Sequence, residues 1–220
     1  MGALVKIWDQ LREKRLIRIV TPYTLVGEER IRNLYRLVRQ IEREKIPGDV
    51  IECGVCNGGT AAVLARYASR SQMDRTVWLL DSFQGMPEVS EQDDIGADGH
   101  SAESHVGKEV GDPTQVREVM RKVGADLSRV RIVPGWFHET LPSVRTNQIA
   151  LLNIDADWYE SVKLCLEAFY DRVVLGGFIS FDDYGHWPGC KTAVDEFFQV
   201  RNLPYKLKQV DYTAHWFRKE

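Results

Sequence analysis

Long apolar runs are missing from this 220-residue chain, so no segment reads as a bilayer span. The apolar residues near the N-terminus are interrupted by Lys6, Asp9, Arg12, Glu13 and Lys14, and no secretory leader is read there. An excess of one charge is missing too: 29 basic against 32 acidic residues give a formal net charge of -3. Without a basic stripe, neither nucleic acid nor a membrane is an expected partner. Cysteine is confined to Cys53, Cys56, Cys165 and Cys190. The first two have CxxC spacing, but no second pair completes a zinc or redox set. Reduced, packed cysteines in a cytoplasmic protein are the expectation.

Hydrophobic residues at 44% and charged residues at 28% describe an ordinary globular chain, long enough for one full core. Residues 4–19 place Leu4, Ile7, Leu11 and Leu16 at helical spacing, and residues 1–26 read as an N-terminal arm before a single domain at 27–220. A helix is expected at 28–44 with Ile31, Leu34, Leu37, Val38 and Ile41 on one face, ended by Pro47-Gly48. Short β-branched runs at 50–53, 76–81, 130–133, 149–155 and 173–181 alternate with helical stretches after the glycine turn, near 114–123 and at 158–171. That alternation predicts an α/β fold: a parallel sheet with helices on both faces. Residues 205–210 and 214–218 suggest a C-terminal hairpin that adds an antiparallel edge. Residues 84–112 break the pattern, with eight acids against one base from Glu88 to Asp112, and fit either a solvated loop or a substrate lid.

Open parallel sheets bind ligands outside the carboxyl ends of their strands. The first strand runs into Glu52-Cys53-Gly54-Val55-Cys56-Asn57-Gly58-Gly59-Thr60, where glycines permit close backbone approach and a helix N-terminus offers free N–H groups. The second ends at Asp81, placed to accept from ribose hydroxyls. The GxxxGG spacing, with Glu52 beside the turn, favours an adenosine ligand carrying positive charge over a pyrophosphate. Later strands end in Asp155 and in Asp182-Asp183. Three carboxylates at two neighbouring strand ends call for a cation, and oxygen ligands suit magnesium. Alternatively, Asp155 and Asp182 could cap the helices that follow.

The stretches GDVIECGVCNGGT, DSFQGMP, GWFHETLP, NIDADWYES and LGGFISFDDYGHWPGCKTAVDEFF, in that order, resemble the macrocin O-methyltransferase family. The resemblance implies a class I methyltransferase, Rossmann-like, with a mostly parallel seven-stranded sheet, S-adenosylmethionine and Mg2+. It implies metal acids at Asp155, Asp182 and Asp183. It implies cofactor contacts from Glu52, Gly54, Asn57, Gly58, Thr60, Asp81 and Ser82, with Trp136 and Phe137 on the adenine side. The family methylates sugar hydroxyls of natural products, so a small-molecule hydroxyl acceptor is implied. Catechol O-methyltransferase is a more distant likeness, but its catalytic lysine position holds Trp158 here.

Three residues stand as candidate proton acceptors: Asp155, His138 and Glu139. His186 is a candidate for the substrate mouth. Asp155-Ala156-Asp157 also reads as the DxD triplet of a metal-dependent glycosyltransferase using a nucleotide sugar, and a nicotinamide oxidoreductase or a silent adenosine-binding scaffold would share part of the pattern. The apolar content of the arm suits either packing on its own domain or docking on a second subunit, and a homodimer or higher homo-oligomer is the expectation.

Overall fold

The computed structural model describes residues 2–220, with side chains from residue 7 onward. The elements are α1 (Gly2–Val20), α2 (Glu28–Arg43), β1 (Asp49–Cys53), α3 (Gly59–Ala68), β2 (Val77–Asp81), α4 (Pro113–Val123), β3 (Val130–Pro134), α5 (Phe137–Thr140), β4 (Ile149–Ile154), α6 (Tyr159–Phe169), β5 (Val173–Phe181), α7 (Pro188–Val200), β6 (Lys208–Gln209) and β7 (His215–Arg218). Seven strands form one sheet in the order β3-β2-β1-β4-β5-β7-β6. β1 to β5 are parallel, and β7 runs antiparallel to both β5 and β6. The C-terminal hairpin is present as expected, though its outer strand is only Lys208–Gln209.

Helices α1 to α4 enclose one core and α6 and α7 the other, with the buried strand residues divided between them. α2 buries the predicted face, Ile31, Leu34, Leu37, Val38 and Ile41, while Glu28 and Glu29 occupy its first turn, where the helix dipole favours anions. Each of those apolar side chains contributes roughly 1.5–3 kcal/mol through burial. Beneath α2, the fully buried Arg75 donates from Nε to Glu42 Oε1 at 2.6 Å and also bonds the carbonyls of Gly48 and Ile46. This guanidinium ties the end of α2 to the entry of β1.

Two departures from the sequence reading matter. α7 has no counterpart in it, although Pro188 opens the helix at a position where proline fits. In the arm, Leu16, Ile17 and Val20 are buried, but Ile7 and Leu11 are 52% and 53% exposed. Leu4 lies outside the described side chains. Among the described residues, no helix is long and apolar enough to cross a membrane.

Candidate active site

Strand order reverses between β1 and β4, and a cavity of about 830 Å³ opens at the carboxyl ends of these strands. The turn after β1 is forced against β4. Asp155 N donates to Cys53 O at 2.8 Å, and a Cβ on Gly54 would fall 1.6 Å from Asp155 O. Only glycine fits there, and its φ of +87° adds a second reason. Gly58, also at φ +87°, precedes the first turn of α3 as its N-cap.

Asp81 braces this turn. Its Oδ2 accepts from Val55 N at 2.7 Å and Cys56 N at 2.8 Å, and its Oδ1 accepts from Phe83 N at 2.6 Å. A carboxylate offers about four lone-pair positions, so roughly one remains for a ribose hydroxyl. Ser82 Oγ accepts from Gln84 N and donates to Gly85 O, each at 3.1 Å. Gly54, Thr60, Asp81, Ser82, Trp136 and Phe137 all line the cavity, as does His138. Glu52, Asn57, Gly58 and Glu139 do not line it. Asn57 Oδ1 instead accepts from Asp112 N at 3.2 Å.

Glu52 is fully buried one layer below, accepting from Asn153 Nδ2 at 2.9 Å, while its Oε2 has no hydrogen-bond partner. Burial pushes its carboxyl up to about 8, against the pull of the Asn153 bond. A buried acceptor without a partner next to the glycine turn fits a cationic ligand such as the ammonium of S-adenosylmethionine.

The acids gather at the next strand ends. Asp182 N donates to Ile154 O at 2.9 Å, which sets the end of β5 beside that of β4. Carboxylate oxygens of Asp155, Asp157 and Asp183 lie within 4.8 Å of one another. Asp182 instead turns Oδ2 toward Arg30 of α2, which bonds it and also lies 3.3 Å from Asp211. The capping alternative fails: the N-cap residues of α6 and α7 are Trp158 and Trp187, and neither makes a side-chain cap. Asp157 sits at φ +54°, where Trp158 N donates back to Ala156 O at 2.6 Å and closes a tight turn. Trp187 Nε1 donates to its Oδ1 at 3.0 Å.

Burial raises all four acids: Asp155 and Asp183 well above the carboxylate range, Asp157 to about 7 and Asp182 to about 6, the last held down by Arg30. Neighbouring carboxylates add to the rise at Asp155, Asp157 and Asp183. Asp183 Oδ2 is buried with no hydrogen-bond partner. A hard divalent cation would supply what this oxygen-rich cluster lacks.

Of the three candidate proton acceptors, only Asp155 stands within the cluster. His138 is at the rim with a side chain 68% exposed, 3.9 Å from Glu139. Sequence reasoning missed Arg30, and it noticed Asp157 only as part of a DxD triplet. Arg30 gives no local signal, because it lies among four other arginines between residues 28 and 45 without distinguishing spacing, and its partner is 152 residues away. His186 reaches the cavity wall, as expected of it, beside Trp187 and Tyr212.

Residues 84–112 pack onto this mouth. Trp158 Nε1 donates to Pro87 O at 3.1 Å, Tyr159 N to Asp93 Oδ1 at 2.9 Å and Ala97 N to His186 O at 3.0 Å. Met86, Pro87, Glu88, Asp93, His105 and Glu109 contribute to the cavity wall.

A glycine turn and a carboxylate at the switch point of a 3-2-1-4-5-7-6 sheet define the class I methyltransferase architecture. Residues 7–219 match the macrocin O-methyltransferase (TylF) family, and the chain belongs to that family of O-methyltransferases. It is 37% identical over 205 residues to demethyldecarbamoylnovobiocin O-methyltransferase of Streptomyces niveus, covering 89% of this chain and 76% of that protein. It is 34% identical over 202 residues to mycinamicin III 3''-O-methyltransferase of Micromonospora griseorubida, covering 90% and 78%. The solved structure of the O-methyltransferase NovP superposes with a TM-score of 0.78 at 31% identity, covering 90% of this chain and 82% of that one. These findings leave the glycosyltransferase reading of Asp155-Ala156-Asp157 without support.

Proposed function

We propose that the chain methylates a sugar hydroxyl of a glycosylated natural product, using S-adenosylmethionine and Mg2+. The observation that carries this reading is one cavity holding both halves of the chemistry: the Gly54–Thr60 turn with Asp81, and the Asp155, Asp157 and Asp183 cluster. The names of the relatives support a sugar-bearing acceptor, since mycinamicin III 3''-O-methyltransferase is named for one position of such a compound. Four free cysteines suit a reducing cytoplasm.

When bound, S-adenosylmethionine supplies an electrophilic methyl group and Mg2+ a Lewis acid that favours the ionised form of a hydroxyl. Asp155, Asp157 and Asp183 would hold the metal or its waters, with Asp182 adjoining through Arg30. Asp81 would hold the ribose end of the nucleoside, the buried Glu52 would act on its ammonium end from behind the turn, and Trp136 and Phe137 would flank the adenine. Asp155 or Asp157 would accept the proton of the acceptor hydroxyl. The packed segment 84–112 restricts water around the acceptor and orients it, which is where much of the rate gain in such transfers arises.

Calorimetry with S-adenosylhomocysteine and with Mg2+ tests the two halves separately. Wild type and Asp183→Asn should bind the nucleoside alike, and only wild type should take up Mg2+. Failure of wild type to bind the nucleoside would end the methyltransfer reading for this site; equal Mg2+ uptake by both proteins would remove the metal from it.

A further inference from the structure

The outward face of α1 has an unusual composition for a helix on a monomer's surface. Ile7, Trp8 and Leu11 are 52%, 62% and 53% exposed and follow one another at helical spacing. The two acids of α1 both turn inward: Asp9 lies 3.3 Å from Arg39, and Glu13 2.5 Å from Arg32. Arg12, Lys14, Arg15 and Arg18 are left exposed and, among the described residues, make no ion pair. Lys14, Arg18 and Arg32 border a groove of about 440 Å³ at the same end of the helix. The face is therefore apolar at one end and cationic at the other.

A surface of opposite charge exists on the same chain. Segment 84–112 exposes Glu88, Glu91, Asp94 and Glu103, together with Ile95 at 56% and Val110 at 59%. Its single lysine does not offset these acids. We infer that the chain forms a two-fold dimer in which the α1 face of each protomer docks on segment 84–112 of the other. The apolar residues would bury together, and the acids would meet Arg12, Lys14, Arg15 and Arg18. A two-fold axis makes the contact twice and closes the assembly. Because segment 84–112 walls the active-site cavity, each arm would brace its partner's acceptor mouth.

Sedimentation equilibrium on the full chain tests this with two charge reversals, Arg15→Glu/Arg18→Glu on the arm and Glu91→Arg/Asp94→Arg on the segment. All four sites are exposed, and unchanged melting would show that each variant folds. Wild type should dimerise at micromolar concentration, more weakly as salt rises. Each variant alone should dimerise at least about tenfold more weakly, and an equimolar mixture should regain affinity, because the mixed pair restores opposite charges. A monomeric wild type, a dimer insensitive to both reversals, or a mixture no tighter than the separate variants would each overturn the inference. So would binding of a monomeric wild type to phosphatidylserine vesicles through α1.

Discussion

Trp187 Nε1 donates to Asp157 Oδ1 at 3.0 Å, joining the start of α7 to the left-handed residue that ends the β4 turn. The bond orients a carboxylate that shares the acid cluster with Asp155 and Asp183. Trp187→Phe keeps most of the packing and removes the donor. Turnover should fall roughly tenfold or more through lost positioning, while stability drops by only about 1 kcal/mol. Steady-state kinetics beside urea unfolding check this; a stability loss without a kinetic one would confine Trp187 to packing.

Glu52 is the second place where electrostatics can be read out. Its carboxyl moves from an ordinary 4.5 to about 8 on burial. A raised folded-state value means that the protonated form favours folding, a contribution present below pH 4.5 and lost as pH rises through about 8. The ligand-free protein should therefore melt at progressively lower temperature between those limits. Glu52→Gln, which keeps an acceptor for Asn153, should make that slope shallower, most visibly toward pH 8, with the raised aspartates supplying the remainder, and should weaken S-adenosylhomocysteine binding. An unchanged slope in the variant would place the pH dependence elsewhere.

Arg75 is expected to dominate the stability of the sheet's lower end. Arg75→Ala leaves Glu42 and the Gly48 and Ile46 carbonyls without their donor, and should cost about 3–5 kcal/mol. Arg75→Lys should recover little, since one ammonium cannot reach all three acceptors in the plane a guanidinium spans. Chemical denaturation of the three proteins decides this, with a cost below about 1 kcal/mol counting against a buried anchor.

Gly54→Ala places a Cβ 1.6 Å from Asp155 O at a φ of +87°. Either β1 and β4 separate or the turn moves, so nucleoside and metal binding should be lost together. Isothermal calorimetry with each ligand tests the coupling, and loss of the nucleoside alone would show that the turn and the acid cluster move independently.

Much of the fold was legible because its determinants are local. The five parallel strands are β-branched runs, the buried face of α2 follows helical spacing, and the turn after β1 is marked by glycines, of which Gly54 leaves no room for a Cβ. The resemblance then ordered these parts into one family, and the acids at the ends of β4 and β5 followed from strand position alone. α7 is not legible locally although Ala193 and Val194 are buried at its centre, because Pro188 and Gly189 at its start are poor helix formers.

Local sequence sets the strands of the sheet, the glycine turn after β1, and the presence of several acids at one edge. Which acids converge is set by long-range packing: Asp157 joins Asp155 and Asp183, while Asp182 is bonded by Arg30, distant in the chain. The reason is physical. Backbone periodicity is set by neighbours a few residues apart, whereas the pairing of a buried charge is chosen by whichever opposite group the packed helices bring within reach.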